Sequence, residues 1–216
     1  MKQTVFQTLN KIFETVYRLL LLHFLWMTGT ALGAVVFGIG PSTAALFSVL
    51  RKRRELKNDR VLFKVFKDTY INEFKEATVL FYIAVILGTV IFLNISFLLS
   101  IESAIRYPFL IVLFILAYIY LSSVAVLFPI SVHYDIGLKN KLIYTLKFGI
   151  GYSIIILFTW LLAFLSYAFM IKYAIPLIIL FGIVPAAYLL SELSRYLFIK
   201  VDTNNLKDRD KDENNY

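Results

Sequence analysis

Apolar and polar positions alternate along this chain in long blocks, with oily runs separated by short charged stretches. Four windows, Tyr17–Phe37, Thr78–Ser100, Pro108–Ile130 and Ile150–Met170, each supply the roughly 20 apolar residues that cross about 30 Å of hydrocarbon. A fifth, Ala174–Ser194, contains Pro185, which a membrane helix tolerates where neighbouring helices satisfy the freed carbonyl. No run shows the two-residue alternation of a membrane barrel strand. The pattern predicts an all-α, polytopic helical membrane bundle, one domain over residues 1–200, with five full spans at about 17–38, 78–100, 108–131, 150–170 and 174–195.

The first oily run does not end cleanly. In GAVVFGIGPSTAALFSVLRKRR, Gly33 to Arg54, a Gly-Ile-Gly-Pro break precedes four consecutive cations. Gly38 suits the left-handed position that ends a helix, Gly40 follows it, and Pro41 suits the first turn of a new one. These residues predict a turn and a short returning helix over 41–54, about 21 Å long at 1.5 Å per residue. Such an arm reaches the inner surface only if it packs inside the bundle and its basic stems snorkel.

Cation placement bears on the same choice, because Lys and Arg gather in cytoplasmic loops near helix ends. Of 22 cations, nine lie in Arg51–Lys75, three in Lys139–Lys147 and five in Arg195–Lys211, against single ones at Arg106 and Lys172. A single kinked span would put Lys2, Lys11 and Arg18 outside and leave 17 of the 22 in the cytoplasm; a hairpin raises this to 20. The hairpin is therefore preferred, which predicts a multi-pass cell-membrane protein with both termini in the cytoplasm.

After the cationic run, Leu62, Phe66, Tyr70, Phe74 and Thr78 recur every four positions, while Lys64, Lys67, Asp68, Glu73 and Glu76 fall elsewhere. This spacing predicts an amphipathic interfacial helix over 61–77. Val5, Leu9, Ile12, Phe13 and Val16 repeat the pattern near the N-terminus. Both helices would be drawn to an anionic inner leaflet at about 1 kcal/mol per basic residue near the surface. Arg51, Lys52, Arg53, Arg54, Lys64 and Lys67 are the candidate contacts for that leaflet or for a protein partner. The polar residues 201–216 predict a disordered cytoplasmic tail.

Composition adds the exclusions. The chain has 216 residues, 60% of them hydrophobic, and a mean hydropathy of +0.77. Its net charge of +8 follows the loops, so no nucleic-acid partner is expected. With no cysteine, disulfides, thiol catalysis and zinc-thiolate sites are excluded together. Eighteen mostly polar residues precede the first oily run without a small-x-small cleavage site, so the first helix is expected to remain as an anchor.

Chemistry-bearing residues are sparse. The middles of the spans contain no Asp, Glu, Lys or Arg, which argues against ion-coupled transport and midplane carboxylate catalysis. His23 and Asn94 are the candidate intramembrane polar contacts, His23 as a hydrogen-bonded structural group and Asn94 as interhelical glue. His133 and Asp135 stand together without a third ligand, too few for a metal site. Glu192 and Arg195 have the spacing of a helix-surface ion pair, and Gly29 with Gly33 allows close helix approach. There is no G-x-x-x-x-G-K-[ST] loop for phosphates, nor the Glu-Ala-Ala-type loop by which permease subunits engage their ATPase. No catalytic residue, cofactor or metal is assigned, and the chain is expected not to be an enzyme.

The stretches LLLLHFLWMTGTALGAVVFGIGPSTAALFSVLRK and FKVFKDTYINEFKEA resemble the N-terminal half of the YesL-like membrane proteins of Gram-positive bacteria, a domain family of unknown function. Later stretches, VLFPISVHYDIGLKNKLIYTLKFGI and IPLIILFGIVPAAYLL, are similar to that family in position and character. Its most specific piece here is Gly40, Pro41, Thr43, Ala44, Ala45 and Leu46. The resemblance implies an accessory role in carbohydrate uptake beside an ATP-binding-cassette importer, and no catalytic residues. A stand-alone transporter or lipid-handling protein is the alternative expectation.

Overall fold

The computed structural model describes residues 2–56 and 58–213. Among them the backbone forms nine helices and no strand: α1 Lys2–Leu32, α2 Ile39–Lys52, α3 Asp59–Asn72, α4 Phe74–Leu99, α5 Arg106–His133, α6 Leu138–Gly151, α7 Ser153–Tyr173, α8 Ile175–Phe181 and α9 Val184–Glu213. Helices α4, α5 and α7 are each long and apolar enough to cross a membrane. With α8 and the first part of α9 taken as one broken span, there are up to four such crossings. The chain is therefore an all-α membrane protein, with three or four candidate spans where five were expected.

The differences have local causes. The window 174–195 is not one straight helix, because the backbone breaks at Gly182 (φ +46°) and turns through 62°. Pro185 sits in the first turn of α9, where its missing N–H breaks no helical bond. The bend therefore belongs to Gly182. The first window merges with the amphipathic N-terminal segment into α1, on which Leu9 and Phe13 are exposed; the side chains of Val5 and Ile12 lie outside those described.

The turn after α1 sends the chain back along itself. Trp26 Nε1 donates to Thr43 Oγ1 at 3.2 Å, and Arg18 Nη1 donates to the Leu56 carbonyl at 2.9 Å, so the partners on the returning arm advance as those on α1 recede. Gly38 does not take the left-handed conformation expected of it (φ −87°); Ala34 (φ 53°) and Val35 (φ 65°) do. Gly38 is needed for proximity: a Cβ there would stand 2.8 Å from Thr30 Cα and closer still to the Thr30 carbonyl. Pro41 lies in the first turn of α2.

Every residue of α2 from Gly40 to Leu50 is buried, and the helix packs against α1, α3, α4, α5 and α9. A helix covered on all sides is the centre of a fold. The core continues through Ser122–Ser131 of α5 and the first half of α9, so packing concentrates at one end of the bundle. The other end is open apolar surface: only 6% of the spanning window of α4 is buried, and Phe92, Phe97 and Phe109 are exposed. Such surface is suited to lipid.

Helix α3 begins where the Asn58 side chain accepts from the Val61 amide at 2.9 Å, and it buries Leu62 and Phe66. The segment expected as one interfacial helix over 61–77 is divided at Glu73, after which Phe74 opens α4. Two elements were not expected. Helix α6 occupies the region read as a basic loop, and α9 continues as helix to Glu213 rather than becoming disordered at 201, because no Gly or Pro follows Pro185 to stop it. Residues 214–216 of that tail lie outside the described residues.

Candidate functional site

Polar groups collect at the end where α2 stops. A cleft of about 400 Å³ is lined there by Ser48, Arg51 and Lys52 from α2, Asp68, Thr69 and Asn72 from α3, Ser131 and His133 from α5, and by Glu73, Tyr134, Asp135 and Lys141. Helix α2 supplies its walls because its C-terminal turn carries the basic run, a placement that also complements the helix dipole.

Lys141 is the most buried charge in this wall, with its side chain 4% exposed. Its Nζ lies 2.8 Å from Glu76 Oε1 and 3.7 Å from Glu73 Oε2. A buried ammonium persists only when paired in this way. Glu73 is the junction residue between α3 and α4, Glu76 lies in the first turn of α4 and the lysine comes from α6, so the triad ties α6 to the α3–α4 junction. Sequence reasoning missed it, although a signal was present: Leu138, Lys141, Leu142, Thr145 and Phe148 share the 3–4 spacing that places Lys141 on the inward stripe of a helix.

His133 and Asp135, two apart in sequence, are not brought together as a pair. His133 Nε2 lies 3.9 Å from Asp202 Oδ2, and its ring stacks on Phe198 at 4.3 Å between centroids. The phenol of neighbouring Tyr134 is pushed up to about 12, first by burial and then by the Asp202 carboxylate. Among the described residues, no three His, Cys, Asp or Glu side chains gather as a metal-holding group.

The basic run itself divides. Arg51 donates to the Val132 carbonyl, Lys52 lines the cleft, Arg53 meets Glu192 and lies 4.5 Å over the Tyr188 ring, and Arg54 is exposed. Glu192 also holds Arg195 at 2.8 Å, so the pair expected on the last helix exists within a larger cluster. Lys64 and Lys67 are exposed on α3, on the same outward face as Phe63 and Ile71.

The two intramembrane candidates differ. His23 is 5% exposed and occupies the elbow at Gly182, where an added Cβ would run into its ring. Tyr167 donates to the Gly182 carbonyl, so the elbow is held from both sides. Asn94, expected as interhelical glue, is exposed, and its Nδ2 donates to the Val90 carbonyl of its own helix at 2.8 Å.

The cleft is lined by both cations and carboxylates, a lining suited to polar ligands or a polar protein surface. Its hydroxyls are engaged within the fold: Thr69 donates to Ser48 at 3.0 Å, and Ser131 donates to the Phe128 carbonyl at 2.9 Å.

Comparison with known proteins gives two kinds of match. Residues 19–95 match the family described as "Protein of unknown function, DUF624". The chain is 30% identical over 149 residues to the uncharacterized protein YesV of Bacillus subtilis (strain 168), covering 69% of this chain and 72% of that protein. It is also 30% identical over 154 residues to the uncharacterized protein YesL of the same strain, covering 71% of each. No solved structure matches.

Proposed function

This chain belongs to the DUF624 family of YesL-like proteins, and from that premise we propose that it is a non-enzymatic membrane protein that docks through its basic end to a carbohydrate importer of the ATP-binding-cassette type. The observation that carries the docking reading is the outward face of α3. Phe63, Lys64, Lys67 and Ile71 stand exposed beside the polar cleft, Phe63 at 54% and Ile71 at 59%. Apolar anchors flanked by cations suit a partner surface carrying carboxylates. The importer comes from the family resemblance alone.

In this reading α1 is a fifth crossing, α2 returns to the cytoplasmic surface, and both termini lie in the cytoplasm of a cell-membrane protein. The test is cross-linking in native membranes followed by affinity purification and mass spectrometry. The wild-type chain is expected to recover a permease subunit, and the double variant Lys64→Glu, Lys67→Glu to lose it while inserting normally. The same partners at the same yield from the variant would end the docking reading.

A second reading, a stand-alone transporter or lipid-handling protein, is favoured by the 62° elbow between α8 and α9, since broken helices line substrate sites in several transporters. It predicts solute or lipid movement in liposomes containing this protein alone.

A further inference from the structure

A second cavity lies on the other side of α2 from the polar cleft. It measures about 210 Å³ and lies between Glu14–Leu22 of α1, Val49–Arg54 at the end of α2, Leu56, Leu62 and Tyr188 of α9. Its floor is hydrocarbon, with Leu22, Val49, Leu50, Leu56 and Leu62 all buried. Its rim carries three guanidinium groups, those of Arg18, Arg53 and Arg54, and the Glu14 carboxylate. We propose that this cavity, rimmed by Arg18, Arg53 and Arg54, holds the headgroup of one anionic phospholipid from the leaflet that faces the basic end. The inference rests on the reading of the chain as spanning a membrane and is independent of the importer.

Three observations support it. The first is position. On α1, Arg18 marks the step from polar residues to the run Leu19–Leu22, and on α2 the step from Leu50 to Arg51 does the same in reverse. Both steps meet at this cavity, which places it at headgroup depth, where basic pockets between helices hold anionic lipids.

The second is charge. Arg18 pairs with Glu14 at 2.7 Å and Arg53 with Glu192, while Arg195 shares Glu192 and Arg54 is exposed. Four cations thus share two carboxylates, Arg195 from outside the cavity lining, a surplus of two that the single negative charge of a phosphodiester headgroup would halve. Burial, together with the neighbouring cations Arg195 and Arg54, lowers the Arg53 guanidinium from its ordinary value, with Tyr188 acting the other way. A bound anion relieves that crowding. Arginine also presents a planar fork of donors that fits phosphate oxygens in pairs.

The third is the floor. A free phosphate in this cavity would lose hydration against leucine and valine without filling the space. A lipid places its phosphate on the arginines and its first methylenes on that floor, with the rest of the acyl chain continuing into the bilayer. Apolar contact and charge are satisfied by one molecule.

Native mass spectrometry of the full chain in detergent tests this, after mixing with equal amounts of phosphatidylglycerol and phosphatidylcholine. The wild type is expected to retain phosphatidylglycerol roughly tenfold over phosphatidylcholine, and Arg18→Gln with Arg54→Gln to reduce this to about twofold or less. Arg60→Gln, the same kind of substitution placed outside the cavity at the exposed start of α3, should leave the preference intact. Leu19→Trp, which fills the cavity with every charge in place, should lower retention as the arginine pair does. Gel filtration of each variant as a single species checks folding. Equal retention of both lipids by the wild type would overturn the proposal. So would an Arg60→Gln effect as large as that of the rim, unchanged retention in Leu19→Trp, or displacement of the lipid by inorganic phosphate. The importer reading is judged separately, by the Lys64 and Lys67 variant in native membranes.

Discussion

Lys141 shows how a single residue is decided by what surrounds it. With its side chain 4% exposed and two carboxylates within 3.7 Å, its charge is stable only as part of the triad. Lys141→Met should leave Glu76 without its partner and destabilise the fold by about 3 kcal/mol. The triple change Lys141→Met, Glu73→Gln, Glu76→Gln should recover most of that loss, because no uncompensated charge remains. Thermal unfolding in detergent distinguishes the two, and equal melting of single and triple variants would contradict the pairing. Gly38 is decided by space rather than by φ. Gly38→Ala forces a methyl against the Thr30 backbone and should cost roughly 2 kcal/mol. Gly137→Ala, with nothing within 4 Å of the added Cβ, should cost far less and serves as its control in the same melts.

At the scale of elements, legibility followed how much of the determining physics lay within one segment. Helices α4, α5 and α7 were legible because each is an unbroken oily run of spanning length. Helix α6 was hidden by its cations: Lys139, Lys141 and Lys147 count as a cytoplasmic loop in a charge tally, yet Leu138, Leu142 and Phe148 mark a helical stripe. At the elbow between α8 and α9, Pro185 drew attention from Gly182, where the backbone turns against His23. The Gly-Ile-Gly-Pro break marks a boundary between helices, but the position of α2 at the centre of the core was not legible, since that depends on five helices closing around it. The polar cleft has the same character. Its walls come from stretches as distant as Ser48 and Lys141, and no local spacing announces their meeting. Helix α3 carries the prediction that belongs to this scale: reversing Lys64 and Lys67 should remove a partner without altering insertion, because Leu62 and Phe66 on its opposite face are what hold it to the fold.

The whole molecule is polarised. Its packed core, its triad, its arginine cluster and most of the described cations lie at one end, and the other end is apolar surface with Arg106 and Lys172 at its short connections. Such a gradient orients a membrane protein, because basic segments stay on the cytoplasmic side. The proposed basic end depends on α1 and α2 forming a hairpin with both ends on that side. The chain has no cysteine, so single-cysteine variants report cleanly on sidedness. The measurement is labelling of Gln7→Cys, Glu55→Cys, Glu102→Cys and Lys200→Cys with a membrane-impermeant maleimide, first in intact cells and then after lysis; all four positions are exposed. With the hairpin in place, Glu102→Cys alone should react in intact cells and the other three only after lysis. Reaction of Gln7→Cys in intact cells, with Glu55→Cys still protected, would mean that α1 and α2 cross the membrane as one span, and would contradict the hairpin on which the basic end is built.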